Sequence, residues 1–144
     1  MNFLLIESDP LVRDHVKVGL QQFPDFHVTV GNGFGGINEL HTQEFDCVFV
    51  GLDGGDVEAV RLLEHLRSLD KDVELVVLTQ SRNSKAMMRE KARLDIHSVL
   101  AKPLEPKDLF DFVGRFQDRH KQVRSDVARQ GSELSSPTPA ALGK

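Results

Sequence analysis

A chain of 144 residues is long enough for one domain with a full core and a short tail. Hydrophobic residues at 40% and charged residues at 28% fit an ordinary globular domain. A formal charge of −4 and a pI near 5.8 leave no basic footprint for nucleic acid, and a lone cysteine, Cys47, excludes an internal disulfide or a multi-cysteine metal site.

The first element in the chain is the apolar run Phe3-Leu4-Leu5-Ile6, read as a buried strand. It is too short for a signal-peptide core, and Glu7 and Asp9 follow directly. No later stretch has the length of a bilayer span, so a reducing, cytoplasmic setting with no membrane contact is expected. Asp9-Pro10 then opens a helix, with aspartate as the N-cap and proline at the first helical position. Its apolar positions are Leu11, Val12, His15/Val16 and Leu20, and Pro24 ends it. A second strand is expected at Phe26–Val30, and a short helix around Ile37–Leu40.

Cys47–Val50 reads as the third strand, with Cys47 as a buried thiol, and a glycine-rich turn follows from Gly51 to Asp56. Val57, Val60, Leu63 and Leu66 then recur at helical spacing. A fourth strand at Val73–Leu78, a helix from about Ser84 to Arg93 and a fifth strand at Ser98–Ala101 complete the alternation. Pro106 starts the last helix, with Leu109, Phe112, Val113 and Phe116 on one face. From Ser125 the chain turns small and polar, which is linker composition. The expected organisation is a domain over 1–120, then a helical extension and a Ser/Pro-rich linker or tail over 121–144.

Strands buried on both faces and joined by helices imply an α/β fold: a parallel, doubly wound sheet with right-handed crossovers. The functional crevice of such a sheet lies beyond the carboxyl ends of its strands, where strand order reverses. Those ends are Glu7-Ser8-Asp9, Gly51-Leu52-Asp53, Thr79-Gln80 and Lys102-Pro103.

At these positions the sequence resembles the response-regulator receiver domain, from about Met1 to Phe116. The most specific stretch is Val99-Leu100-Ala101-Lys102-Pro103-Leu104, similar to the family's final strand and its lysine-proline ending. Leu75-Val76-Val77-Leu78-Thr79 is similar to the fourth strand with its terminal hydroxyl, and Asp46 to Arg67 aligns with the third strand and helix without a gap. The resemblance implies a flavodoxin-like three-layer sandwich of five strands in the order 2-1-3-4-5, flanked by helices. It also implies a pocket in which an aspartate ending the third strand accepts a phosphoryl group. Two acids after the first strand would hold Mg²⁺ there, and a threonine and a lysine would bind the transferred group.

Carried over position by position, the lysine is Lys102, the hydroxyl is Thr79, the acid pair is Glu7 and Ser8, and the acceptor is Gly51. Glycine has no side chain to phosphorylate, and Ser8 is a poorer ligand than a carboxylate for a hard cation. Gln80 stands where the family usually has a small residue, so its bulk should narrow the pocket. Val99 replaces the usual aromatic rotor. The reading is a degenerate phosphoacceptor pocket of Glu7, Ser8, Gly51, Asp53, Thr79 and Lys102, in a domain that is not an enzyme and needs no cofactor. Lys102 should pair with Glu7 or Asp53, and these two acids are the residual candidates for weak Mg²⁺ binding.

The expected function is a pseudo-receiver of a two-component-type pathway, working by protein–protein interaction. It would dock a protein partner or an attached output domain, with a homodimer through the last helix as a further expectation and no direct nucleic-acid contact. The interaction face implied by the family is the helix before the fifth strand, that strand and the last helix, with Val99, Lys107, Phe110 and Asp111 on it. Phe110 lies off the apolar face of its helix, where an aromatic among polar residues suits an interface anchor. Past Phe116, Val123 and Val127 keep near-heptad spacing, which suits either self-pairing or a solvated helix end.

Two alternatives stand beside this one. Asp53, two residues past Gly51, could accept the phosphoryl group, although its attack geometry would be displaced; otherwise it is a turn residue. Gly31-Asn32-Gly33-Phe34-Gly35-Gly36 spells G-x-G-x-x-G between a strand and a helix, with Asp53 near the spacing of a ribose-binding acid, which would make a Rossmann-like nucleotide site. The histidines (His15, His27, His41, His65, His97, His120) show no metal-ligand spacing, and no serine–histidine–aspartate set can be assembled.

Overall fold

The computed structural model describes residues 1–31, 43–52, 57–80 and 84–135, with side chains described no further than His120 and not at 58 and 59. The five strands are β1 (Asn2–Ile6), β2 (His27–Gly31), β3 (Cys47–Gly51), β4 (Glu74–Thr79) and β5 (Ser98–Ala101). The helices are α1 (Pro10–Gln21), α2 (Val57–Leu69), α3 (Lys85–Arg93) and α4 (Pro106–Ser135). The expected short helix at Ile37–Leu40 and the glycines from Gly33 to Gly36 lie outside the described residues. No helix among the described residues is long and apolar enough to cross a membrane.

All strands are parallel, in the order β2-β1-β3-β4-β5. This is the doubly wound, flavodoxin-like α/β fold. Successive side chains on a strand point to opposite faces, so strands covered on both sides must be apolar throughout. Phe3 to Leu5, Cys47 to Val50 and Leu75 to Leu78 accordingly carry no exposed side chain. One face assembles Leu4, Ile6, Val48, Val50, Leu75 and Val77 with Leu62, Leu63 and Leu66 of α2. On the other parity, the Phe3 ring lies 4.6 Å from Phe26 and 6.2 Å from Phe49. Helix α1 buries Val16 and Leu20, and Asp9 caps it by accepting from the Leu11 N–H at 2.9 Å.

Two helical positions read as apolar stripe are solvent-facing: Leu11 and Val57 are 82% and 62% exposed. Both sit in the first turn of their helices, at the end where the chain has just left the sheet. The backbone divides into two compact units, Met1–Leu109 and Phe110–Lys144. The first holds the sheet, α1 to α3 and the opening turn of α4; the second holds the rest of α4. Within it Phe112, Val113 and Phe116 are buried, and the Phe112 and Phe116 rings stack at 5.8 Å. The helix runs on to Ser135, well past Ser125, where composition suggested a linker. Charged and polar residues without proline are compatible with helix, and the first proline of that segment comes only at Pro137.

Candidate functional site

The crevice is built by the ends of β1, β3, β4 and β5, and strand register brings its residues together. Ile6 stands opposite Val50, so one step further along Glu7 lies beside Gly51. Gly51 faces Leu78, and Thr79 faces Ala101, immediately before Lys102. Backbone bonds close the rim: the Leu52 N–H donates to Leu78 O at 2.8 Å and the Lys102 N–H to Thr79 O at 3.0 Å.

Glu7 and Lys102 form the centre. Lys102 Nζ lies 2.7 Å from Glu7 Oε1, with side-chain exposures of 5% and 1% respectively. Glu7 Oε2 accepts from the Asp9 N–H at 2.9 Å, so the turn into α1 orients the carboxylate. Thr79 is the other buried polar residue among those described. Ser8 and Gln80 are exposed. The narrowing expected of Gln80 is therefore not the work of a buried amide; the space in front of Gly51 is taken by Glu7.

That occupation is tight. A Cβ added to Gly51 would meet the Glu7 carboxylate, with Cδ at 2.5 Å and Oε2 at 2.9 Å as well as a closer approach to Oε1. The carboxylate thus fills the volume that any side chain at position 51 would need. Composition gave no signal of this; the combination of a long acid at 7 and no side chain at 51, on strands that neighbour each other, is what carries it.

The described residues do not fit a divalent cation. One Glu7 oxygen faces an ammonium and the other a backbone N–H, Gly51 offers no ligand, and Asp9 Oδ1 caps α1. No group of three His, Cys, Asp or Glu side chains that could hold a metal occurs among the described residues. Asp53, the other residue expected at this pocket, lies outside them.

Of the residues expected on an interaction face, Val99 is partly buried against the core, and Lys107 is exposed. An open groove of about 610 Å³ runs between α3 and β5, lined by Met87, Met88, Lys91, Asp95, Ile96 and Val99. Phe110 and Asp111 belong to the helical unit and are exposed, Phe110 by 54%. Gly31 ends β2, an edge strand of the sheet, and the rest of the glycine-rich stretch, Asn32 to Gly36, lies outside the described residues.

Solved structures share this architecture. A CheY-like receiver domain protein from Methanospirillum hungatei JF-1 superposes with a TM-score of 0.70 at 18% identity, over 84% of this chain and 97% of its own. The receiver domain of AraT from Geobacillus stearothermophilus gives 0.72 at 18% identity, over 85% and 97%. The isolated receiver domain of RcsB from Salmonella enterica serovar Typhimurium, determined with the phosphomimetic BeF3−, gives 0.69 at 20% identity, over 82% and 88%. At these identities the likeness speaks for the fold alone, and no curated protein matches the sequence. The sequence itself matches the model of the response regulator receiver domain over residues 3–114, which spans the whole sheet and the start of α4. With strand order and family model in agreement, the chain belongs to the response regulator receiver domain family.

Proposed function

We propose that this receiver works without taking a phosphoryl group, as a pseudo-receiver that docks a protein partner or an output domain attached to it. The observation that carries the reading is the end of β3. Gly51 has no side-chain oxygen to attack a phosphoryl donor, and the space before it holds the Glu7 carboxylate, already paired with Lys102 at 2.7 Å. A receiver that neither accepts phosphate nor frees its lysine has recognition left as its means of action. The α3–β5 groove supports this, because it offers two methionines and an isoleucine beside Lys91 and Asp95, with Met88 63% exposed. Methionine is over-used at adaptable binding surfaces. The acidic balance favours protein over nucleic acid as what it binds, and the setting we assign is the cytoplasm.

Incubation of the protein with acetyl phosphate and Mg²⁺, followed by intact mass measurement, tests the proposal. The expected spectrum contains the unmodified mass alone. A phosphoryl adduct, mapped to Asp53 or to any other carboxylate, would overturn it and restore a phosphorylation switch.

A further inference from the structure

Glu7 and Lys102 are two oppositely charged side chains, almost wholly removed from water, at the mouth of a pocket whose expected acid is missing. Removing one partner of such a pair leaves a buried charge without compensation, so the geometry has an energetic consequence. Gly51 adds the second observation. Its φ lies outside the left-handed region, so the backbone does not call for glycine there. The Glu7 carboxylate does, because it occupies the volume of the absent Cβ. Parallel strands lie about 4.8 Å apart, and glutamate has one methylene more than aspartate with which to reach sideways across that gap.

We propose that Glu7 is an internal replacement for the carboxylate that β3 lacks: delivered from β1, it fills the place in front of Gly51, holds Lys102 in a permanent ion pair and closes the pocket to external anions. Glycine at 51 and glutamate at 7 are then one device, and neither is a simple loss. The Asp9 N–H completes it by fixing Oε2, which leaves Oε1 for the ammonium. Any anion entering the pocket has to displace a carboxylate that is buried, bonded to backbone and paired. This deepens the proposed function and rests on it, since a pocket that took phosphoryl groups would require Glu7 to leave.

Moving and replacing the carboxylate tests the inference. Glu7→Ala opens a carboxylate-sized space beside Lys102, and its melting temperature should fall by an amount on the order of 10 °C. Formate at about 100 mM should recover a few degrees of that loss through binding to the folded form. Chloride at the same ionic strength, or neutral formamide, should not, and formate should do nothing for the wild-type protein or for the Glu7→Ala/Lys102→Met double variant. If Glu7→Ala does not fold, Glu7→Ala/Gly51→Asp supplies the readout, because it returns the carboxylate from β3. The double variant should melt higher than Gly51→Asp alone, in which two carboxylates compete for one space.

A Glu7→Ala protein as stable as wild type would overturn the inference. So would a folded Glu7→Ala protein indifferent to formate, or a double variant no more stable than Gly51→Asp. Each of these outcomes would remove the role of Glu7 and leave the missing acceptor at Gly51 untouched. Phosphoryl uptake by the wild-type protein would instead sink the proposed function, whatever Glu7 does.

Discussion

Glycine inside a strand weakens it by about 0.5–1 kcal/mol relative to alanine, so a Gly51→Ala substitution would ordinarily stabilise β3. Here a larger opposing effect decides the sign. The new methyl group would press on the Glu7 carboxylate, which cannot move without loosening its contacts to Lys102 and the Asp9 N–H. Overpacking of a tight site costs about 1–3 kcal/mol, so Gly51→Ala should lower the urea midpoint by a net of about 1–2 kcal/mol in stability. A neutral or stabilised variant would show that Glu7 yields the space freely. The sequence made each of these residues legible separately: Lys102 by its proline, Gly51 by its position after an apolar run, Glu7 by its place after β1. What it hid was their mutual fit. Side-chain reach across neighbouring strands depends on register, and register is a property of the assembled sheet.

At the scale of elements, the strands were legible because burial on both faces forces continuous apolar runs. The predicted ends of β1, β2 and β4 differ from the observed ones by a single residue, and β5 agrees at both ends. The side chain that ties the elements together left no such pattern. Arg67, near the end of α2, donates from Nε to Leu94 O at 2.9 Å, from Nη1 to Asp70 O at 3.1 Å and Val73 O at 2.9 Å, and from Nη2 to Asp95 O at 2.9 Å. It thereby joins the end of α2, the approach to β4 and the turn between α3 and β5. That turn contains Asp95 at φ 52°, with the Ile96 N–H returning to Lys91 O at 3.0 Å to close the helix end. A planar fork serves four carbonyls in a way that a single ammonium cannot. Arg67→Lys should therefore destabilise the fold by about 2–3 kcal/mol, read from urea melts, because it strands partly buried carbonyls. A loss below about 0.5 kcal/mol would mean that water replaces the guanidinium readily.

For the whole molecule, charge and composition set limits that the fold then fills. Apolar runs that alternate with amphipathic stretches lead to a parallel sheet, and strand order puts four strand ends around one crevice. The helix beyond Phe116 was harder to read, because polar residues with good helix propensity share their composition with linkers. The crevice is where, on the function proposed above, the chain parts from its family: β3 ends on Gly51, and a neighbouring acid, Glu7, lies over it. Amide NMR of the protein with Mg²⁺ and beryllofluoride interrogates that crevice directly, since beryllofluoride adds to an available carboxylate and mimics the phosphoryl group. The account predicts no new resonances and no displacement for Gly51, Thr79, Ala101 and Lys102. A second set of peaks for those residues, appearing with beryllofluoride and saturating with its concentration, would contradict it.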